Sequence, residues 1–151
     1  DAIQLMSTLN RAAAEVFIRC GVHALTDVTG FGLLGHLRNL AAASKQSAVV
    51  RWEAVPVLPQ AWEYVKEGIA PGGTHANWRF LNDWVSYAPD ISKEEQLVLC
   101  DAQTSGGLLA AVDAKQVENV LAGLRAAGTP AAAAIGALEQ GPAGRIRIVR
   151  A

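Results

Sequence analysis

The sequence predicts an α+β domain, an α/β layered arrangement in which a mixed sheet is flanked by helices, and three observations carry that prediction. Short β-branched or small apolar runs alternate with stretches whose apolar residues recur at threes and fours. A strand, a glycine loop and a helix follow one another between Val22 and Ala41, and Ser92 with Glu95 spells a helix start. No repeat and no compositional break divides the sequence, so a single domain is expected over residues 1–151.

The elements follow in chain order. Met6, Leu9, Ala13, Val16, Phe17 and Cys20 line one face of a helix predicted over 3–20, and Gly21 is placed to end it. Val22 to Val28 reads as a short strand, and after a glycine-punctuated turn a helix starts near Phe31 with Leu34, Leu37, Leu40 and Ala41 on one side. A β-branched run predicts a strand over Ser47 to Ala54, and a segment bounded by Pro56 and Pro59 leads into a short helix from Ala61 to Glu67. Gly68 to Asp90 has no clean period and is expected as a long functional loop around Pro71-Gly72-Gly73. The Ser92/Glu95 capping box opens a helix from Lys93 to about Cys100, and Gly106 to Val112 reads as a buried strand. Asp113 with Gln116 is a weaker helix start, followed by Val117, Val120, Leu121 and Leu124 on one face and an end near Gly128. Ala131 to Leu138 and Arg145 to Val149 are the last strands, a pair joined by the Gly141-Pro142 turn.

Composition narrows the function classes. With 13 basic and 14 acidic residues the net charge is -1, too little positive charge to drive nucleic-acid binding. No apolar run approaches the roughly 18 residues of a membrane span. A chain of this length can bury roughly 68–70% of its unfolded surface, so its core needs no disulfide or structural metal. Cys20 and Cys100 form no metal-binding pair, no neighbour in sequence would activate either thiol, and a reducing cytoplasm is the expected setting. The chain begins Asp-Ala-Ile-Gln without an initiator Met or a signal segment, and is expected to be part of a longer protein.

Three polar clusters can carry chemistry. In Asp27-Val-Thr-Gly-Phe-Gly-Leu-Leu-Gly-His36 an acid at a strand end precedes glycines at a helix start, where backbone N–H groups can meet an oxyanion and Asp27 can supply a hard oxygen to Mg²⁺. The same stretch spells Gly30-x-Gly32-x-x-Gly35 with Glu53 further on, the pattern of a dinucleotide-binding oxidoreductase, and a bare strand-to-helix junction reads equally from those glycines. The second cluster, Cys100-Asp-Ala-Gln-Thr-Ser-Gly-Gly107, offers hydroxyls, an amide and free backbone N–H groups before an apolar strand; a plain Ser/Gly turn is the alternative. The third crowds Thr74, His75, Asn77 and Arg79 onto the glycine loop at 70–79. His23, His36 and His75 lack transition-metal spacing, and His36 reads as a packing or capping residue. Trp52 to Trp84 read as core or interface anchors, with a nucleobase-stacking role as the alternative.

Taken together, these clusters resemble the C-terminal half of the selenophosphate synthetase (selenide, water dikinase) family, within the aminoimidazole-ribonucleotide-synthetase-like ATP enzymes. The resemblance rests on Asp27 to Leu37, on Gly72-Gly73-Thr74 with Asn77, on Asp101 to Leu109, and on the opening Met6-x-x-Leu9-Asn10, in that family's order. It implies the fold of the C-terminal domain of aminoimidazole ribonucleotide synthetase, with ATP and Mg²⁺ held in a cleft against an N-terminal catalytic domain. The implied reaction converts ATP, selenide and water to selenophosphate, AMP and phosphate, for selenocysteine and selenouridine synthesis. By resemblance Asp27 is the metal ligand this half contributes, with Thr29, Gly30, Gly32, Thr104, Ser105, Gly106 and Gly107 as the nucleotide-side wall. The family's nucleophile matches neither Cys20 nor Cys100, so no catalytic residue is expected here and the isolated chain is expected to be inactive. The implied partners are its own N-terminal domain, a second subunit in the full-length homodimer, and small-molecule selenide. A noncatalytic nucleotide- or partner-binding module is the remaining alternative.

Overall fold

The computed structural model describes residues 2–151, and its architecture is set by which strand is apolar on both faces. Strand β2 (Ser47–Arg51) buries Ser47, Ala48 and Val50, and accordingly lies inside a four-stranded sheet. Its order is β3 (Val85–Tyr87), β6 (Ile146–Val149), β2, β5 (Gly136–Glu139). β3, β6 and β2 run parallel, and β5 is antiparallel to β2 with Ala48 opposite Leu138. Strands β1 (Ala24–Asp27) and β4 (Leu108–Ala111) form a separate antiparallel ribbon, with Asp27 opposite Leu108.

Helix α3 (Gly32–Ala43) joins sheet and ribbon, touching β1, β2 and β4. Its Leu34, Leu37, Leu40 and Ala41 enter the main core with Ala48, Val50, Ile146 and Ile148, as their spacing requires. A second, smaller core lies on the other side of the ribbon, where Val16 and Phe17 of α2 (Arg11–Cys20) meet Val120 and Leu124 of α7 (Val117–Ala126). The mixed sheet flanked by helices is therefore present, and the ribbon walls one core from the other.

Four expectations are corrected. The helix predicted over 3–20 is two helices, α1 (Ala2–Ser7) and α2, because the chain breaks at Thr8 to Asn10. Met6 and Leu9 are consequently exposed, while Val16 and Phe17 enter the core. The supposed loop from Gly68 to Asp90 contains helix α5 (Gly72–Leu81) and β3. The final strands are not a hairpin: β5 and β6 flank β2, and their connection crosses over the start of β2, where Gly144 N–H donates to Gln46 O at 2.8 Å. A side chain at Gly141 would collide with Ser47 Oγ there. Finally, the predicted strand over Ser47–Ala54 ends at Arg51 and turns into a 3₁₀ segment, Trp52–Ala54.

Two further elements fall as the sequence predicts. Helix α4 (Pro59–Lys66) starts with proline in its first turn, where no N–H partner is needed. Helix α6 (Lys93–Leu99) begins with both halves of the capping box formed: Ser92 Oγ accepts from Glu95 N–H at 3.2 Å and Glu95 accepts from Ser92 N–H at 2.7 Å.

Candidate functional site

Each of the three polar clusters sits where an element ends. The Asp27 carboxylate closes β1, the loop 28–31 leads into α3, the 100–107 loop joins α6 to β4, and the Gly72-Gly73-Thr74 segment is the first turn of α5. Because β1 pairs with β4, the chain leaving β1 and the chain entering β4 run side by side, and Val28 N–H continues the ladder to Gly107 O at 2.9 Å.

Backbone carbonyls then become the points of attachment. Thr29 O accepts from Gly32 N–H at 2.9 Å and from Gln103 N–H at 3.1 Å. The Asn77 side-chain amide, on α5, donates to Gly30 O at 2.9 Å and Cys100 O at 3.1 Å, holding the two loops together. Asn10, just before α2, donates to Gly106 O at 2.8 Å. Fully buried Thr74 donates to Asp101 Oδ1 at 2.7 Å and accepts from Ala102 N–H at 3.3 Å, while Gln103 Nε2 donates to Asp101 Oδ2 at 2.7 Å. All three clusters and the Asn10 junction thus form one hydrogen-bonded corner.

The glycines of this corner are of two kinds. At Gly32, with φ +68°, a Cβ would lie 2.7 Å from the Cys100 carbonyl; at Gly106 it would lie 2.5 Å from Val28 O. Those two residues let the loops close on each other. Gly30 and Gly107 instead have nothing within 4 Å of the Cβ position, and both residues are exposed. Ser105, at φ +54°, holds a left-handed conformation uncommon for a residue with a side chain, and both it and Thr104 are exposed.

Asp27 is exposed and takes part in none of the ion pairs among the described residues. No three His, Cys, Asp or Glu side chains gather to hold a metal among the described residues, so the corner carries no complete set of such ligands. As a hard oxygen donor it fits Mg²⁺ as one ligand of an incomplete set. His36, on α3, accepts from Thr29 N–H at 3.0 Å and so ties the preceding loop to the helix, while the helix start itself has no side-chain cap.

The remaining candidates separate from the corner. Cys100 is buried and its thiol is pushed up to about 11, first by burial, so it stays protonated and inert as a nucleophile. Burial and the neighbouring Cys100 also raise the Tyr87 hydroxyl. Trp52, Trp78 and Trp84 pack against the main core, with Trp78 Nε1 donating to Gln96 at 2.9 Å. The dinucleotide-oxidoreductase reading fails on topology: among the described residues β1 pairs with antiparallel β4 alone, and the next strand, β2, belongs to the other sheet, so Gly30, Gly32 and Gly35 open no parallel βαβ unit there with Glu53 at its end. Sequence reasoning named Thr74, Asn77 and Asn10 but missed their clamp function, because their partners lie 27, 23 to 47 and 96 residues away.

The family model described as AIR synthase related protein, C-terminal domain, matches residues 1–149. A selenide, water dikinase of Porphyromonas gingivalis is 46% identical over 136 residues, covering 89% of this chain and 38% of that protein. One of Myxococcus xanthus is 43% identical over 145 residues, covering 95% and 41%. The chain therefore spans about two fifths of the length of these curated relatives. Among solved structures, the hydrogenase maturation protein HypE superposes with a TM-score of 0.58 at 25% identity, over 92% of this chain and 37% of that one. HypE in complex with ATP superposes equally, at 0.58 and 23% identity.

Proposed function

The chain belongs to the family of AIR synthase related C-terminal domains, and from that premise we propose that it is the C-terminal part of a selenide, water dikinase. The longer enzyme makes selenophosphate from ATP, selenide and water, releasing AMP and phosphate. The observation that carries this reading is the single corner formed by the three motifs that resemble that family's, in a chain 43–46% identical to relatives bearing that name.

Within the corner, Asp27 is assigned as one ligand of a magnesium ion accompanying the nucleotide, the role its exposed, unpaired carboxylate fits. The magnesium ion would screen phosphate charge as the transferred group separates. Gly30 and Gly107, both exposed, leave room for phosphate oxygens, and Thr104 and Ser105 add exposed hydroxyls beside them. Thr29, Gly32 and Gly106 complete the wall, the two glycines by letting the loops close. ATP use is further supported by the ATP-bound HypE likeness.

One carboxylate and one glycine corner hold a magnesium–triphosphate weakly, because charge neutralisation in phosphoryl transfer needs several positioned groups together. The nucleophile and the other ligands are assigned to an N-terminal domain, and the 1–151 chain to a single C-terminal one. Exposed apolar residues of α1 and beyond, Ile3 and Leu9 each at 80%, are the surface we assign to contact with that domain.

The test mixes this chain with a separately expressed N-terminal portion and measures selenide-dependent AMP formation, confirming association in the same samples. Activity is expected only from the mixture, with a loss of about a hundredfold or more in Asp27→Ala, on the scale of removing one electrostatic stabiliser. An associated but inactive mixture overturns the dikinase reading; full activity of Asp27→Ala removes the metal role.

A further inference from the structure

Thr29 and His36 fix each other's polarity. A backbone N–H can only donate, and Thr29 N lies 3.0 Å from His36 Nε2, so that ring nitrogen carries no proton and the neutral imidazole bears its hydrogen on Nδ1. Thr29 Oγ1 lies 3.1 Å from the same nitrogen. Since an unprotonated Nε2 can only accept, the hydroxyl hydrogen is directed at His36 and shares the ring nitrogen's one lone pair with the Thr29 amide in a three-centre hydrogen bond. The Thr29 oxygen then presents lone pairs alone to whatever approaches from the other side. His36 reaches this position because a side chain on a helix leans toward its N-terminus, and His36 lies in the second turn of α3, behind the loop.

We infer that His36 is a positioning residue that holds Thr29 as a hydrogen-bond acceptor, so that Asp27 and Thr29, flanking buried Val28, together receive a hard cation or its bound water. An anionic oxygen would meet lone pair against lone pair at Thr29, and is left to the backbone N–H groups of the open glycines. The corner is thereby divided: its side chains at 27 and 29 accept, and its backbone at 30 and 107 donates. This assignment of a cation to Thr29 deepens the nucleotide reading and rests on it, whereas the tautomer of His36 rests on geometry alone.

Two measurements decide it. Long-range ¹H–¹⁵N spectra of the labelled chain at pH 8 are expected to show His36 protonated on Nδ1 with a bare Nε2; a proton on Nε2 overturns the inference. In the same chain, His36→Leu is expected to speed hydrogen exchange of the Thr29 amide roughly tenfold, and His36→Gln, whose side-chain oxygen can accept, to restore protection. Unchanged exchange in His36→Leu also overturns it. In the reassembled enzyme, Thr29→Val keeps the shape and removes the oxygen, and is expected to raise the magnesium concentration for half-maximal activity several-fold. An unchanged magnesium requirement overturns the cation role. If the reassembled enzyme shows no dikinase activity with any variant, the dikinase reading fails and the cation role with it, while the spectra still decide the polarity of Thr29.

Discussion

The four-stranded sheet and the glycine corner are held by opposite means. In the sheet and α3, shape comes from apolar volume: Leu34, Val50 and Ile148 are at most 1% exposed, and each excludes water from its neighbours. In the corner, shape comes from missing volume and from amides that satisfy carbonyls: Gly32 and Gly106 remove Cβ atoms, while Asn10 and Asn77 donate to Gly30, Cys100 and Gly106. A core built of volume tolerates small shifts and has no free polar groups to offer a ligand. A corner built of backbone keeps N–H groups and carbonyls near the surface, where chemistry can use them. The difference predicts that the same kind of substitution has opposite effects in the two regions.

The largest effect is expected in the sheet region, from removing atoms. Leu34→Ala leaves a cavity between α3 and β2 and should cost about 3 kcal/mol, read from chemical denaturation. In the corner the damaging change is adding an atom. Gly32→Ala brings a Cβ within 2.7 Å of the Cys100 carbonyl, at a backbone φ of +68° that L-residues avoid, and should cost about 2 kcal/mol. If Gly32→Ala is neutral, the loops are not closed on each other as described.

The sequence made these two regions legible to different degrees. The period of threes and fours in α3 named Leu34, Leu37, Leu40 and Ala41, because burial of a helix face is a local pattern. The Ser92/Glu95 box named the start of α6 for the same reason. Helix α5 was not legible: it opens Gly72-Gly73 after Pro71, residues of low helix propensity, and the hydrogen bonds that fix it, Thr74 to Asp101 and Asn77 to Gly30, join distant segments. The false hairpin at Gly141-Pro142 has the same origin, since only the three-dimensional position of β2 reveals that it lies between the two strands. Within the corner the motifs themselves were readable, but the division of the glycines into closing and open ones was not, because it depends on which loop faces which.

A third, smaller effect links the regions. Arg150, following β6, pairs with Glu95 of α6 and with Asp90, tying the sheet to the helix that leads into the 100–107 loop. Burial alone would raise the Glu95 carboxyl, but the Arg150 hydrogen bond and the Ser92 N–H outweigh it and hold Glu95 below the usual carboxylate range. A depressed folded-state value means the unfolded chain takes up its proton first, near the ordinary pKa of about 4.3. The stabilisation is therefore complete above that pH and is lost as pH falls through the lower folded value. Denaturation midpoints should drop on acidification below about pH 4, with a shallower drop in Glu95→Gln; equal slopes in the two proteins would dissociate this pair from the acid response.

The smallest expected effect is also the sharpest test of the contrast within the corner. Gly30 is two residues from Gly32 in the same motif, yet its Cβ position is empty to 4 Å and its φ lies outside the left-handed range that excludes side chains. Gly30→Ala should therefore change stability by less than about 0.5 kcal/mol, or raise it slightly by restricting the unfolded chain. Its effect belongs to ligand access: a methyl group set at this exposed position shields the N–H beside it from an incoming oxyanion. In the reassembled enzyme Gly30→Ala should weaken nucleotide binding while melting like the wild type, the reverse of Leu34→Ala, which melts early without touching the corner's open side. A Gly30→Ala protein that unfolds as readily as Gly32→Ala would show that both glycines serve closure, and would move the open backbone of this corner to Gly107 alone.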